Sequence, residues 1–190
     1  LNNNFIGFGT GRYNTTGYYN SAQGVNSLWL NTTGNSNSAQ GVNSLTNNTT
    51  GSSNSAQGTG SLISNTTGSY NSAQGSWSLF SNTTGSNNSA VGYKAGRYIA
   101  DGNTGRSTGD YGLYLGVNTK ASANGTSNEI VIGYDAIGAG SNKVVIGSSA
   151  VTDVYFGSTT PNARLWVKGL ITPKIYPSAD STTAIQFNKA

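Results

Sequence analysis

The sequence predicts an all-β repeat protein, a β-solenoid whose coils are completed by association of several copies, and three observations carry that expectation. A set of motifs recurs every seventeen residues through the first half of the chain. Glycine returns at fixed places within each repeat, where a chain turns without steric penalty. The composition is also poor in helix formers and in charge: Gly accounts for 27 of 190 residues and only 8% are charged, against roughly 25% in ordinary soluble domains.

The repeat is legible as three columns. Asn-Thr-Thr-Gly begins at Asn14, Asn31, Asn48, Asn65 and Asn82. Asn-Ser-Ala-Gln-Gly begins at Asn20, Asn37, Asn54 and Asn71, and Asn-Ser-Ala-Val-Gly follows at Asn88. Leu28, Leu45, Leu62 and Leu79 form the third column. Gly7 to Tyr13 resembles Gly92 to Tyr98 five periods later, which marks opening and closing coils. A degenerate continuation sets Gly102 and Gly109 one period after Gly85 and Gly92, so winding is expected to persist to about residue 112.

Seventeen residues with two Gly corners divide into short extended segments joined by turns, as β-solenoid coils do. No apolar spacing of three and four is sustained, and Gly, Asn, Ser and Thr are poor helix formers. Stacked coils lie about 4.8 Å apart, so each recurring side chain sits above its own copy. The Asn14 and Asn20 columns can then pass amide hydrogen bonds from coil to coil. Ala22, Ala39, Ala56, Ala73 and Ala90 are expected to point inward beside the Leu column. One Ala and one Leu per coil is a thin core, too little to offset about 1.5 kcal/mol of ordering entropy per residue. That deficit predicts obligate homo-oligomerisation, with copies sharing one interior.

Beyond residue 112 the apolar content rises. Ser127-Asn128-Glu129-Ile130-Val131-Ile132-Gly133 recurs as Ser141-Asn142-Lys143-Val144-Val145-Ile146-Gly147, a step of fourteen that brings Glu129 and Lys143 into register. Tyr111 to Gly116 and Val154 to Gly157 read as flanking strands. From Ser158, Pro161, Pro173 and Pro177 interrupt the ladders, while Ala163 to Lys168 alternates like a half-buried strand and Thr183 to Phe187 begins another. Three segments follow: seventeen-residue coils over 1–112, fourteen-residue-type coils over 113–157, and connector strands over 158–190 that lead to a further module. The chain starts in mid-pattern, as a piece of a longer fibre would.

The Ser-Ala-x-Gly and Asn-Thr-Thr-Gly units and the fourteen-residue coils resemble the head repeats of trimeric autotransporter adhesins and the shaft repeats of bacteriophage tail fibres. Thr160 to Gly169 is similar to a linker of phage fibre and tailspike-like proteins. The resemblance implies a parallel homotrimer of left-handed β-rolls, located outside the cell on a virion tail fibre or a cell-surface appendage. The seventeen-residue period departs from the adhesin pattern.

Function classes narrow on the residue inventory. Cys and His are absent, which removes thiolate and imidazole chemistry together with disulfides. Neither a catalytic residue nor a cofactor or metal site is expected. The acids are Asp101, Asp110, Glu129, Asp135, Asp153 and Asp180; Asp101 and Asp110 could form a carboxylate pair, but turn and loop roles fit them better. Nothing matches a calcium-loop spacing, and the Gly-rich string at Gly7 to Gly11 lacks the helix and Lys-Ser/Thr of a phosphate loop. From Leu1 to Tyr93 the only charged side chain is Arg12, so no basic cluster suits nucleic acid. No apolar run approaches the ~20 residues of a membrane helix, so membrane insertion is not expected. The Asn-x-Ser/Thr sites, Asn124 among them, read as turn sequence.

Tyr18, Tyr19, Trp29, Tyr70, Trp77 and Phe80 occupy columns otherwise filled by Asn, Ser, Thr or Ile, so the coil itself does not require them. They are expected to contact a receptor or a neighbouring chain. The reading that results is a rigid shaft of a phage tail fibre or similar appendage that presents or contributes to host attachment, with itself as partner and a cell-surface glycan or protein as receptor. A bacterial adhesin head is the alternative. An ice-binding solenoid using the Thr15 and Thr16 columns is a further one, for which the Asn-Thr-Thr-Gly turn is poorly placed.

Overall fold

The computed structural model describes residues 2 to 151. The calls on the sequence for Val154 to Gly157 and for the connector strands over 158–190 lie outside the described residues. The described residues form a parallel β-solenoid of about eight turns, with no helix among them. Nine three-residue strands build it: β1 (Asn4–Ile6), β2 (Ser21–Gln23), β3 (Ser38–Gln40), β4 (Ser55–Gln57), β5 (Ser72–Gln74), β6 (Ser89–Val91), β7 (Leu113–Leu115), β8 (Ile130–Ile132) and β9 (Val144–Ile146). They make one sheet in which every strand pairs in parallel with the next along the chain. Ser21, Ser38, Ser55, Ser72 and Ser89 are directly in register, as are the Ala residues that follow them.

Each coil is shaped by a few local choices. In Ser-Ala-Gln the Ala points in and its neighbours point out, the alternation of a strand with one buried face. The Gly that closes the strand turns the chain at φ between +127° and +134° from Gly24 to Gly92. At Gly41 a Cβ would stand 2.8 Å from the carbonyl carbon and oxygen of Gly58 in the next coil, so only Gly permits the stacking distance. Leu28, Leu45, Leu62 and Leu79 each hold φ between 45° and 51°, a left-handed conformation that costs about 1 kcal/mol or more per residue. Full burial of each Leu offsets that strain, worth about 1.5–3 kcal/mol per side chain.

The Ala and Leu columns are 1% exposed or less within a single chain. These columns are thus covered by the coils of one chain. What the apolar count lacked, hydrogen-bonded carboxamides provide. Asn31, Asn48, Asn65 and Asn82 each donate Nδ2 to Oδ1 of the preceding Asn in the column, at 2.6–2.9 Å, and to the carbonyl of the Gly three residues on. In the second ladder, Oδ1 of Asn54 accepts both the backbone N–H and Nδ2 of Asn71, while Asn54 Nδ2 donates to Asn37 Oδ1 and to Gly68 O. These Asn are buried, and the backbone of the opposite corner is held by the same groups.

Column breaks occur in compensating pairs. Phe5 stands in the Ala column and Gly11 in the Leu column of the first coil; a Cβ on Gly11 would fall on the Phe5 ring. Tyr114 follows Ala90, and Gly96, which follows Leu79, leaves the space its ring fills. Where the inward residue grows, its neighbour shrinks to Gly, which keeps the interior volume near constant.

The winding departs from the sequence period after β6. Ser89 pairs with Leu113, a step of 24, and Gly85 and Gly92 stack on Gly109 and Gly116. The placement of Gly102 one period after Gly85 is thus corrected. The seven additional residues fold outward as a hairpin in which Tyr98 pairs antiparallel with Gly105 and Arg106 N donates to Arg97 O. Gly102, at φ +72°, serves its turn, so a glycine required by a hairpin imitates a corner glycine. The step returns to seventeen from β7 to β8 and falls to fourteen from β8 to β9.

At this junction the Asn columns give way to charged residues. Arg106 succeeds Asn82, Gly112 succeeds Asn88 and Glu129 succeeds Gly112. Arg106 is fully buried, donates Nη2 to Asn88 Oδ1 at 3.0 Å and lies 5.0 Å from the centre of the Tyr114 ring. Glu129 is buried too, accepting from Gly140 N at 2.9 Å, Thr126 Oγ1 at 3.1 Å and Ser122 N at 3.3 Å. The expected pairing of Glu129 with Lys143 is corrected: the carboxylate turns inward to these donors, and Lys143 is exposed. Burial pushes the phenol of Tyr114 up to about 12, so it stays neutral beside the carboxylate.

Two predictions test this account. Asn54→Ala strands Asn71 N–H in the interior and takes one of two donors from Gly68 O and from Asn37 Oδ1, so thermal or denaturant unfolding should register a loss of about 1–3 kcal/mol; an unchanged midpoint would show that the ladder contributes nothing. Phe5→Ala and Gly11→Leu should each lower the unfolding midpoint. Combined, they rebuild a regular Ala/Leu coil, and a double-mutant cycle should recover about 1 kcal/mol or more relative to additivity.

Candidate functional site

The four acidic residues among the described residues, Asp101, Asp110, Glu129 and Asp135, have local structural partners. Asp101 caps the hairpin turn, accepting from the hydroxyl and N–H of Thr104 and from Asn103 N, and these bonds hold its carboxyl below the usual range. Asp110 accepts from Ser86 N at 2.7 Å, filling a column that holds Ser52, Ser69 and Ser86 in earlier coils. Asp135 pairs with Lys120, the only ion pair among the described residues. Among those residues no three acids gather where a metal ion could be held.

The Asn-Thr-Thr-Gly corner is occupied by its own bonds. The carbonyl of Thr32 accepts from the N–H groups of Thr15, Thr16 and Gly17 and from the Thr15 hydroxyl. The same hydroxyl bond recurs at Thr32, Thr49, Thr66 and Thr83, which leaves the Thr16 column as the exposed one. Asn124 ends this series: its Oδ1 accepts from Ser107 N, Thr108 N and the Thr108 hydroxyl where no further coil carbonyl is offered.

The aromatic residues singled out in the sequence fall into two places. Tyr18 and Tyr19 meet edge to face, with ring centres 5.0 Å apart, and Tyr70 stands three coils along in the Tyr19 column, exposed. Trp29, Trp77 and Phe80 belong to a different face, bounded by the column of Asn26 and that of Trp29. Trp77 stands in the former, with Asn43, Gly60 and Lys94; Phe80 stands in the latter, with Arg12, Thr46, Ile63 and Arg97.

Two glycines make room for the indoles. A Cβ on Gly60 would stand 2.7 Å from Trp77 Cδ1 and 3.6 Å from the Phe80 ring, and one on Gly9 would strike the ring of Trp29. Both occupy a column that elsewhere carries Asn26 and Asn43, so the bare backbone appears where an indole lies against it.

Cations stand over the same rings. The Arg97 guanidinium lies 4.2 Å from the Phe80 ring centre, 5.2 Å from Trp77 and 4.7 Å from Tyr98. Lys94 Nζ lies 5.0 Å from Tyr93 and 5.5 Å from Trp77. At the opposite end, Arg12 lies 5.3 Å from Trp29 and 5.9 Å from Tyr13. The geometry suits cation–π attraction in every case. Sequence reasoning identified Trp29, Trp77 and Phe80 but not Arg12, Lys94, Arg97, Tyr13, Tyr93 and Tyr98; the signal was present in the replacement of Asn by Gly at positions 9 and 60.

A second surface lies on the outward side of the sheet. Its strand column reads Gln23, Gln40, Gln57 and Gln74 in β2 to β5, then Val91, Leu115, Ile132 and Ile146 in β6 to β9. Val91, Leu115 and Ile146 are 40–43% exposed, beside the exposed Tyr93, Val117 and Tyr134.

Asp135 supplies a pH test. The hydrogen bond from Lys120 holds its carboxyl below the ordinary value, with the lysine charge and Asn118 Nδ2 adding to the effect. The folded state therefore gives up this proton more readily than the unfolded chain. Its contribution is present above the unfolded carboxyl pKa of about 4 and is lost as pH falls below it. Asp135→Asn should flatten the acid limb of a plot of melting temperature against pH; an identical limb would remove Asp135 as a cause.

Comparison with known protein families, curated proteins and solved structures finds no match. The likeness to adhesin heads and phage fibre shafts thus rests on the repeat motifs alone, and what stands on its own is a parallel β-solenoid with an aromatic and cationic face and an apolar strand column.

Proposed function

We propose that the chain is a shaft segment of a trimeric fibre, such as a phage tail fibre or similar surface appendage, in which three left-handed β-rolls run parallel and carry or assist host attachment. The observation that carries this reading is the outward column of Val91, Leu115, Ile132 and Ile146. Each coil closes its own Ala and Leu interior, so this column is not needed for the fold of one chain. Exposed apolar patches of a few hundred Å² mark association surfaces, and a column with one residue per coil matches the same column of a parallel copy coil by coil.

Stiffness follows from the same construction. Every coil bonds to the next through backbone and side-chain ladders, and nothing hinges between β1 and β9, which makes a rod rather than a flexible tether. The outward Gln23 to Gln74 column gives polar pairing over the first coils and the apolar column gives adhesion over the last.

Light scattering tests the reading. The 190-residue chain should run at about three times its 19.5 kDa. Leu115→Glu with Ile132→Glu should reduce the mass to that of one chain without loss of the strand signal in circular dichroism. A folded monomer for the unaltered chain would defeat the trimer.

A further inference from the structure

We propose that the face bearing Trp77, Phe80, Lys94 and Arg97 binds an acidic polysaccharide, with Trp29 and Arg12 as a second subsite on the same face. This rests on the attachment role proposed above and names the receptor chemistry.

The face is built rather than incidental. The coil is satisfied at these positions by Asn, Thr or Ile, as Asn43, Thr46 and Ile63 show. Aromatics at Trp77 and Phe80 are accompanied by Gly60 beneath them, and Trp29 by Gly9 beneath it. Two substitutions in different coils thus cooperate to seat each indole against backbone, an arrangement that serves no purpose in the core. The rings stay partly exposed.

Charge selects the ligand. Over the first ninety-three residues Arg12 is the only formal charge, and the next two in the chain are Lys94 and Arg97. All three stand over the aromatic rings of this face, and none has a carboxylate partner among the described residues. An aromatic ring flanked by unpaired cations suits a sugar ring that carries an anionic group: the apolar face of the pyranose stacks on the indole, and the carboxylate takes charge-assisted hydrogen bonds from guanidinium and ammonium. Arg97 bridges both rings, so stacking and pairing happen together.

Size argues against a protein partner: the platform is a handful of side chains, against the roughly 20–30 residues a side of a specific protein interface. Trp29 and Phe80 share one column three coils apart, about 14 Å at the coil spacing, and Arg12 and Arg97 stand five coils apart, about 24 Å. A linear polymer laid along the fibre reaches both subsites, and three chains in a trimer repeat the face, so weak single contacts add through multivalency.

Calorimetric titration of the full chain with oligogalacturonate, alginate and polysialate, beside neutral cello-oligosaccharides, tests the proposal. At least one acidic glycan should bind, weaken with added salt, and exceed the neutral series by about tenfold or more. Lys94→Gln with Arg97→Gln changes two half-buried side chains outside the Ala and Leu core and should reduce that preference. Trp77→Ala should weaken binding to every sugar. Light-scattering mass and circular dichroism of each variant separate loss of the site from loss of the fibre: a trimer that binds none of the acidic glycans overturns this inference and leaves the shaft standing. Equal binding of neutral sugars, unchanged affinity in the Lys94/Arg97 variant, or binding only to anionic lipid vesicles or acidic peptides would also overturn it.

Discussion

Everything in this structure depends on buried side-chain amides handing hydrogen bonds from one coil to the next. An Asn carboxamide has two donors and an acceptor with two lone pairs, and at the coil spacing it can satisfy its neighbours above and below and still bind a backbone carbonyl at its own corner. That is why the interior tolerates nine buried Asn in two columns. Isolated, each would carry a desolvation penalty of about 1–3 kcal/mol. Stacked, each is satisfied by identical groups at identical distances. The repeat is thus enforced by chemistry: a coil that replaced Asn by Leu would leave a donor without its acceptor in one neighbour and take a donor from the acceptor in the other.

The ends of the ladders show the cost of stopping. The first column leaves Asn82 Oδ1 without a partner, and the second passes its last acceptor, Asn88 Oδ1, to the Arg106 guanidinium and to Gly112 N–H. Arg106 then needs Tyr114 beside it, and Tyr114 needs the empty positions of Gly96 and Gly112. Asn124 makes the same kind of closure for the Thr corner with one carboxamide oxygen. The hairpin of seven extra residues lies at this junction, where the repeat has already been broken and the outward loop disturbs no ladder.

How much of this was legible in the sequence follows from the same logic. A constraint that repeats is visible without coordinates, so the coil period, the corner glycines, the parallel register and the inward Ala, Leu and Asn columns could all be read from Asn14 to Gly92. A constraint met once was not. Gly102 has the spacing of a corner but serves a hairpin, because φ > 0 is needed in both places. Glu129 and Lys143 share a register, yet the carboxylate is buried among N–H and hydroxyl donors at Gly140, Ser122 and Thr126 while Lys143 is exposed. The reading of a thin core counted apolar area and left out the hydrogen-bonded interior, which shows only when the Asn columns are seen to be buried.

Outside the coil the logic reverses. An outward position feels no ladder, so its identity is free to drift, and the expected occupants are the small polar residues that fill most of these columns. Departures from that background therefore carry information that inward departures do not. Val91, Leu115, Ile132 and Ile146 depart together along one line, and Trp29, Trp77 and Phe80 depart with their glycines and cations along another. A rod whose inside is fixed by stacking can change its surface one coil at a time without risk to the fold, and that separation leaves room on one scaffold for both the proposed assembly surface and the proposed recognition surface.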